Sequence, residues 1–184
     1  MQKKIIMNRL SLTVLLIALL FSQSCKEIDK LTQFSISNDS EATIPATLGI
    51  NLPIDIWTPD IPTNSESEFE SNNTAKNLIE HITLKSLKIE ITSPQSATFD
   101  FLKNIEIYIS AEGLDEKKIA WLDDIPKTGL KSIDLETSND DLQEYIKKDK
   151  YRLRTKTVTR ELISQDTDIK IHSVFWVDAK ILGI

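Results

Sequence analysis

The sequence predicts a mainly β protein, an antiparallel β-sandwich of the immunoglobulin-like class with one short helix. Three observations lead to this prediction. Apolar and polar residues alternate in several short runs, which is the period of a half-buried strand. Turn-forming residues separate these runs, and only one stretch has helical periodicity. Strands that are interrupted by turns rather than by helices favour an antiparallel sandwich over parallel α/β units.

Residues 1–24 have the pattern of a cleaved signal peptide. Positive charges precede an apolar run, at Lys3, Lys4 and Arg9. The run itself, residues 10–21, ends at the polar Ser22 and is shorter than the roughly 20 residues that a stable membrane-spanning helix needs. Translation from Met7 instead of Met1 would preserve the pattern, so the sequence leaves the start open.

One cysteine, Cys25, follows this segment, with the small Ser24 before it. An exported protein with a single cysteine has no partner for an internal disulfide, so the thiol needs another explanation. The stretch 22–25 resembles the lipobox of bacterial lipoproteins of the Gram-negative outer-membrane type, with Ser22 in place of the usual leucine. The resemblance implies that Cys25 is acylated and becomes the N-terminus after cleavage. An unmodified cysteine after an ordinary signal is the alternative.

Residues 25–32 would then form a short charged tether that joins the lipid anchor to the domain. By the same resemblance, Lys26 implies that the protein leaves the inner membrane, and the acids after it favour the cell surface slightly over the periplasmic face. Three of the 22 basic residues and none of the 28 acidic ones lie in residues 1–24, so cleavage would change the net charge from −6 to −9. An acidic surface repels phosphates, so we predict no nucleic-acid partner.

The predicted single domain, residues 33–184, begins with alternating stretches. Apolar residues lie at even positions between 34 and 56, and Pro45 and Pro53 place these strands at sheet edges or strand ends. The polar, acidic stretch at about 58–75 predicts a loop with at most one short strand, followed by a possible helical turn.

The clearest strand signal lies between residues 82 and 91. Its apolar phase switches between Leu84 and Leu87, which predicts a β-bulge at Lys85–Ser86. Residues 105–109 form another alternating run, and these two strands are predicted to be the centre of the core. Later strands are predicted at 133–135, 151–157 and 169–182.

The predicted helix lies between the strands at 133–135 and 151–157. Residues 138–141 supply an N-cap and an acidic first turn, and Leu142, Tyr145 and Ile146 fall on one helical face. The lysines that follow suit the negative C-terminal end of the helix dipole.

The motifs of most enzyme and metal-binding classes are missing from the sequence. His81 and His172 have no metal-ligand spacing, and no nucleophile elbow or phosphate-binding loop is present. We therefore predict no metal, no cofactor and no enzymatic activity. The catalytic alternative is a hydrolase that uses paired carboxylates. Three acid pairs are available: Asp123 with Asp124, Asp140 with Asp141, and Asp166 with Asp168.

Two features are candidates for a binding surface. Arg152, Arg154 and Lys156 would project from one face of a strand. They would bind an anionic polymer or partner or, as the favoured interpretation, be solvated at an edge or paired with acids on neighbouring strands. Trp57, in a proline-flanked stretch, suits carbohydrate stacking or partner contact if exposed. Burial is nevertheless the favoured interpretation for the three tryptophans, Trp57, Trp121 and Trp176.

We therefore predict a lipid-anchored cell-envelope protein that acts as a binding or interaction module outside the cytoplasm. Its partners would be the membrane, through the anchor, and an envelope protein or a glycan. The alternative is a structural subunit of an envelope or fimbria-like assembly, which would use strand addition at a sheet edge. Fold class alone does not decide between these functions.

Overall fold

The computed structural model describes residues 32–46, 49–51 and 53–180. The residues from Phe34 onward belong to one compact unit. The predicted signal peptide, Cys25 and the tether up to residue 31 lie outside the described residues. Within the described ranges, no helix is both long enough and apolar enough to cross a membrane.

Nine strands and two short α-helices make up the secondary structure of the described residues, with single 3-10 turns at Lys76–Leu78 and Phe99–Phe101. The strands are β1 (Gln33–Ile44), β2 (Pro53–Trp57), β3 (Ile61–Pro62), β4 (Ile79–Ser93), β5 (Leu102–Ser110), β6 (Lys117–Leu122), β7 (Ser132–Thr137), β8 (Lys150–Thr159) and β9 (Thr167–Ala179). The helices are α1 (Ser65–Ser71) and α2 (Gln143–Ile146).

The strands form one curled sheet in the order β1-β9-β4-β7-β6-β5-β8-β2, and β3 pairs with β8 beyond the end of β2. Strand β7 connects the two halves of this sheet. It pairs antiparallel with β4, and with β6 through only two residue pairs, Ala120 with Thr137 and Trp121 with Glu136. We call β1, β9, β4 and β7 the first half, and β6, β5, β8 and β2 the second half.

Both halves contribute to a single hydrophobic core. Phe175 of β9 and Tyr151 of β8, which belong to different halves, meet edge to face with ring centroids 6.0 Å apart. Both rings are buried, so this contact joins the inner faces of the two halves. The curled sheet is therefore a sandwich, which confirms the predicted mainly β, antiparallel sandwich.

The predicted strands are present in the structure, and the β-bulge lies where the apolar residues switch from one face of the strand to the other. The pairing of β4 with β9 shifts register between Leu84 and Ser86. The strands expected at the centre of the core, β4 and β5, are both buried on one face but are not neighbours. Strand β4 lies between β9 and β7, whereas β5 lies between β8 and β6.

The stretch predicted as a polar loop contains β3 and the additional helix α1. The buried Phe69 of α1 packs against Phe34 of β1, with ring centroids 6.3 Å apart. Glu66 and Glu68 lie in its first turn, where they suit the positive end of the helix dipole. A single large apolar residue has no periodicity, which is why the sequence pattern did not indicate this helix.

The sandwich has two distinct ends. Strand β1 runs opposite to β9, because Asp39 contacts His172 whereas Thr43 contacts Asp168. We call the end at which β1 begins and β9 finishes the base. The opposite end, the apex, carries the connections after β1, β4, β6 and β8, and two of these connections are joined by the hydrogen bond from Phe99 N–H to the Leu130 carbonyl, 2.7 Å.

Asp141 links α2 to β4. Its Oδ1 accepts hydrogen bonds from the backbone N–H groups of Ile82 and Gln143, both at 3.1 Å. The N-cap position itself is Leu142, one residue beyond the predicted stretch 138–141. Burial pushes the pKa of Asp141 upward, but the hydrogen bonds from Ile82 and Gln143 outweigh it and hold this pKa below its ordinary value.

We expect Asp141→Asn to lower the free energy of unfolding at pH 7 by about 1 kcal/mol, because the side chain is partly solvated. The folded-state pKa is depressed, so the stabilisation is present above the unfolded-state pKa and is lost as the pH falls through the folded-state pKa. The difference between the variant and the parent should therefore shrink in acid. Urea unfolding at pH 7 and pH 3 measures it, with the exposed neighbour changed as control, Asp140→Asn. Equal effects of the two substitutions would contradict this role.

Candidate binding surface

The outward face of the second half carries the basic stripe that the sequence predicted. Along β8, the residues that alternate with Arg152, Arg154 and Lys156 are buried in the core. Strand β8 lies between β2 and β5, so the stripe is in the middle of a half-sheet and not at its edge. Arg154 is directly opposite Trp57 of β2 on one side and Tyr108 of β5 on the other.

The two arginines hold the Trp57 ring by cation–π contacts. The guanidinium carbon of Arg152 is 4.9 Å from the centroid of the Trp57 ring, and that of Arg154 is 5.8 Å away. Arg154 is also 4.6 Å from the Tyr108 ring centroid. These distances lie within the range of favourable cation–π interactions. Trp57 nevertheless keeps 43% of its surface exposed.

Arg154 is fixed by two carboxylates. Its Nε donates to Glu116 Oε1 at 2.7 Å, its Nη2 donates to Glu116 Oε2, and its Nη1 donates to Asp55 Oδ1 at 2.6 Å. The hydrogen bond to Glu116, with a further one to Asp55, raises the pKa of Arg154 above its ordinary value. A two-pronged contact of this kind sets the orientation of the guanidinium as well as its position.

Charges of opposite sign alternate across the rest of this face. Lys156 is opposite Asp55 of β2 and Glu106 of β5. Burial raises the pKa of Glu106, but hydrogen bonds from Tyr108 and Lys118 outweigh it and keep that pKa below its ordinary value. The predicted pairing of the stripe with an acid on a neighbouring strand is confirmed for Arg154 by its ion pair with Asp55 of β2, whereas Glu116 lies in the connection before β6.

An open depression of about 550 Å³ lies beside Trp57. We call it the Trp57 depression, and its lining residues are Asp55, Trp57, Ser110, Leu114, Glu116 and Arg154. On its other side Trp57 borders a groove between β1 and β2 whose lining includes Ala42, Ile56 and Ile169.

The favoured prediction that Trp57 is buried was wrong. Strand β2 turns Ile54 and Ile56 inward, so Asp55 and Trp57 face outward. The apolar residues before Trp57 occupy even positions in the sequence, and an odd-numbered residue in that strand must lie on the opposite face. This signal was available in the sequence.

The other two tryptophans are half-buried and lie outside the buried core. Trp121 of β6 has the Lys118 ammonium 5.4 Å from its ring centroid, and Trp176 alternates with the buried Phe175 and Val177. Three surface residues were not predicted as part of the site: Asp55, Tyr108 and Glu116.

The acid pairs lie in separate connections. Asp123 and Asp124 follow β6 and are exposed, whereas Asp140 and Asp141 precede α2. Near the start of β9, Asp166 accepts a hydrogen bond from the Ala46 N–H and Asp168 accepts one from the Thr43 hydroxyl, both at 2.8 Å.

The histidines are likewise apart, each beside one acid. His172 Nδ1 lies 2.6 Å from Asp39 Oδ1, and His81 Nδ1 lies 3.4 Å from Asp141 Oδ2. Across the described residues, no group of three or more His, Cys, Asp or Glu side chains is placed to hold a metal ion.

Comparisons with known proteins give only structural matches of low identity and low TM-score. No family model and no curated protein matches the chain. FlhE matches with 8% identity and a TM-score of 0.38, covering 80% of this chain and 98% of that one. A cyanophage capsid protein matches with 8% identity and a TM-score of 0.38, covering 79% and 86%. A Clostridium perfringens domain in complex with GalNAc-β-1,3-galactose matches with 8% identity and a TM-score of 0.33, covering 78% and 97%.

Proposed function

We propose that the protein is a lipid-anchored component of the cell envelope that binds an envelope protein or a glycan through the surface around Trp57. The observation that carries this proposal is the exposure of 43% of Trp57 on a regular strand. Tryptophan and arginine are the residues most enriched at energetically important positions of binding interfaces. Here a tryptophan lies beside two arginines, Arg152 and Arg154.

The rigidity of this surface supports a binding role. The Arg154 side chain is only 20% exposed and is paired with Glu116 and Asp55. The guanidinium beside Trp57 is therefore ordered before a ligand binds. A surface that is ordered in the free protein loses less conformational entropy on binding. Side chains on regular strands are also positioned more precisely than side chains on loops.

The anchor and the location are proposed from the sequence. Cys25, at the end of the signal peptide, would carry the acyl chains, and the outer membrane would carry the protein. Display at the cell surface is slightly favoured over the periplasmic face.

Among the described residues, β2 is the last strand of the second half, and its outer edge is relevant to the alternative function, a structural subunit assembled by strand addition. The Thr58 N–H donates to the Leu153 carbonyl at 2.9 Å. In an antiparallel ladder, residues that hydrogen-bond to the partner strand alternate with residues that do not. The backbone N–H and C=O groups of Asp55 and Trp57 therefore point away from β8. Pro53 has no N–H, so the described part of β2 offers only two outward donors. Proline at an edge discourages strand addition, which favours the binding module.

The test is capture of partners by crosslinking on intact cells, with the full-length protein and its Trp57→Ala variant. We expect the variant to lose capture by at least about tenfold, because central tryptophans contribute 2 kcal/mol or more at interfaces. Trp121→Ala is the matched control, since Trp121 lies on the same half-sheet but does not line the Trp57 depression.

Undiminished capture by the folded Trp57→Ala variant would contradict the proposal. Equal losses in the two tryptophan variants would also contradict it, because they would show that the effect is not specific to the surface around Trp57.

A further inference from the structure

The Trp57 depression combines an aromatic ring with fixed polar groups. Trp57 and Leu114 supply apolar surface, whereas Asp55, Glu116, Arg154 and Ser110 supply hydrogen-bonding groups. The depression is open to solvent, and its volume is about 550 Å³. A ligand that fits must therefore present one apolar face and several polar groups at its periphery.

The polar groups of the depression have hydrogen-bond donors and acceptors that remain available for a ligand. Arg154 has five N–H donors, of which the contacts with Glu116 and Asp55 use three, so each terminal nitrogen keeps one N–H. Each carboxylate oxygen can accept more than one hydrogen bond. Donors and acceptors thus lie side by side in a fixed arrangement. A hydroxyl group both donates and accepts, and adjacent hydroxyls match a guanidinium–carboxylate pair.

The charges of the lining residues favour an uncharged sugar over an anionic one. The depression contains two carboxylates, Asp55 and Glu116, and one cation, Arg154, whose charge both acids already compensate. Arg152, which also contacts Trp57, lies outside this lining and is 3.9 Å from Asp60. An anionic sugar in the depression would therefore meet more carboxylates than cations, which disfavours it. An uncharged ring has no such penalty, and its C–H face can lie on the exposed surface of Trp57.

From this chemistry we infer that the Trp57 depression binds an uncharged pyranose unit of a glycan. The inference rests on the proposed binding function and specifies its ligand. Trp57 provides the stacking surface, and the Arg154–Glu116–Asp55 cluster binds neighbouring ring hydroxyls. Arg154 acts as the centre of this cluster and not as a receptor for anions.

The test uses the full-length protein in detergent on an array of neutral hexose and N-acetylhexosamine oligosaccharides together with uronic acid and sulfated ones. We expect binding to neutral glycans, a loss of at least about tenfold in Trp57→Ala, and none in the control Trp121→Ala. Glu116→Gln should weaken neutral binding and increase binding to anionic glycans, because it removes one negative charge and releases Arg154. Binding to anionic glycans alone, or neutral binding that survives Trp57→Ala, overturns the inference.

A second measurement separates this inference from the proposed function. Periodate cleaves vicinal diols, so cells treated with periodate before capture should lose the partner if neighbouring ring hydroxyls are recognised. Capture that depends on Trp57 but resists periodate overturns the sugar assignment and leaves the proposed binding function intact. Capture that is independent of Trp57 overturns both, whereas periodate-sensitive, Trp57-dependent capture supports both.

Discussion

Phe175→Ala is expected to lower the free energy of unfolding by about 3–5 kcal/mol, a large part of the total stability of a domain of this size. Phe175 is 0% exposed and lies against Tyr151, across the interface between the two halves of the sheet. Removing the ring leaves a cavity at the place where the halves meet, and it also removes an edge-to-face contact that contributes about 0.5–1.5 kcal/mol beyond burial.

Chemical denaturation followed by circular dichroism measures this loss. Phe175→Leu, which leaves a smaller cavity, should lose less and should stay folded if the alanine variant does not. The exposed Leu162→Ala is the control and should change stability by no more than about 0.5 kcal/mol. A loss below about 1 kcal/mol in Phe175→Ala would mean that the two halves do not share one core.

Cys25→Ala is expected to move the protein almost completely from the membrane fraction to the soluble fraction. Each buried methylene of an acyl chain contributes about 0.8 kcal/mol, and two or more chains are needed for stable attachment. Without the thiol there is no attachment point, because Cys25 is the only cysteine in the chain. Fractionation with and without detergent measures the change, and mass spectrometry of the N-terminal peptide detects the acyl chains.

The matched control for this experiment is Ser22→Leu. It restores the residue usual in the resembled lipobox, so we expect processing and anchoring at least as complete as in the parent. Anchoring that persists in Cys25→Ala would contradict the proposed lipid anchor. Protease access on intact cells, compared in the same samples, tests whether the anchored protein faces outward.

Alternation in the sequence determined which face of each strand is buried, but not which strands are neighbours. The phase switch between Leu84 and Leu87 predicted a bulge that the structure contains, because phase is a local property. The separation of β4 from β5 depends on pairing with β9 and β8, which are distant in the sequence. No local pattern contains that information. Helix α1 was missed for a related reason, since its buried residue Phe69 packs against Phe34 of β1, far away in the chain.

The candidate site was predictable in part. The basic residues of β8 were found by their spacing, and the outward position of Trp57 follows from the phase of β2. The partners of Arg154 could not be found in this way. Glu116 is 38 residues away and Asp55 is 99 residues away, so only the pairing of β2, β8 and β5 brings them together.

The two ends of the sandwich determine where a reporter should be placed. Strand β1 begins at the base and β9 finishes there, so an epitope that reports on the apex has to be placed in one of the connections at that end. An epitope inserted in the apex connection beside Leu162, which is 56% exposed, would be presented at the end opposite the base. Immunolabelling of whole cells with the apex insertion would then show whether this end of the domain is accessible from outside.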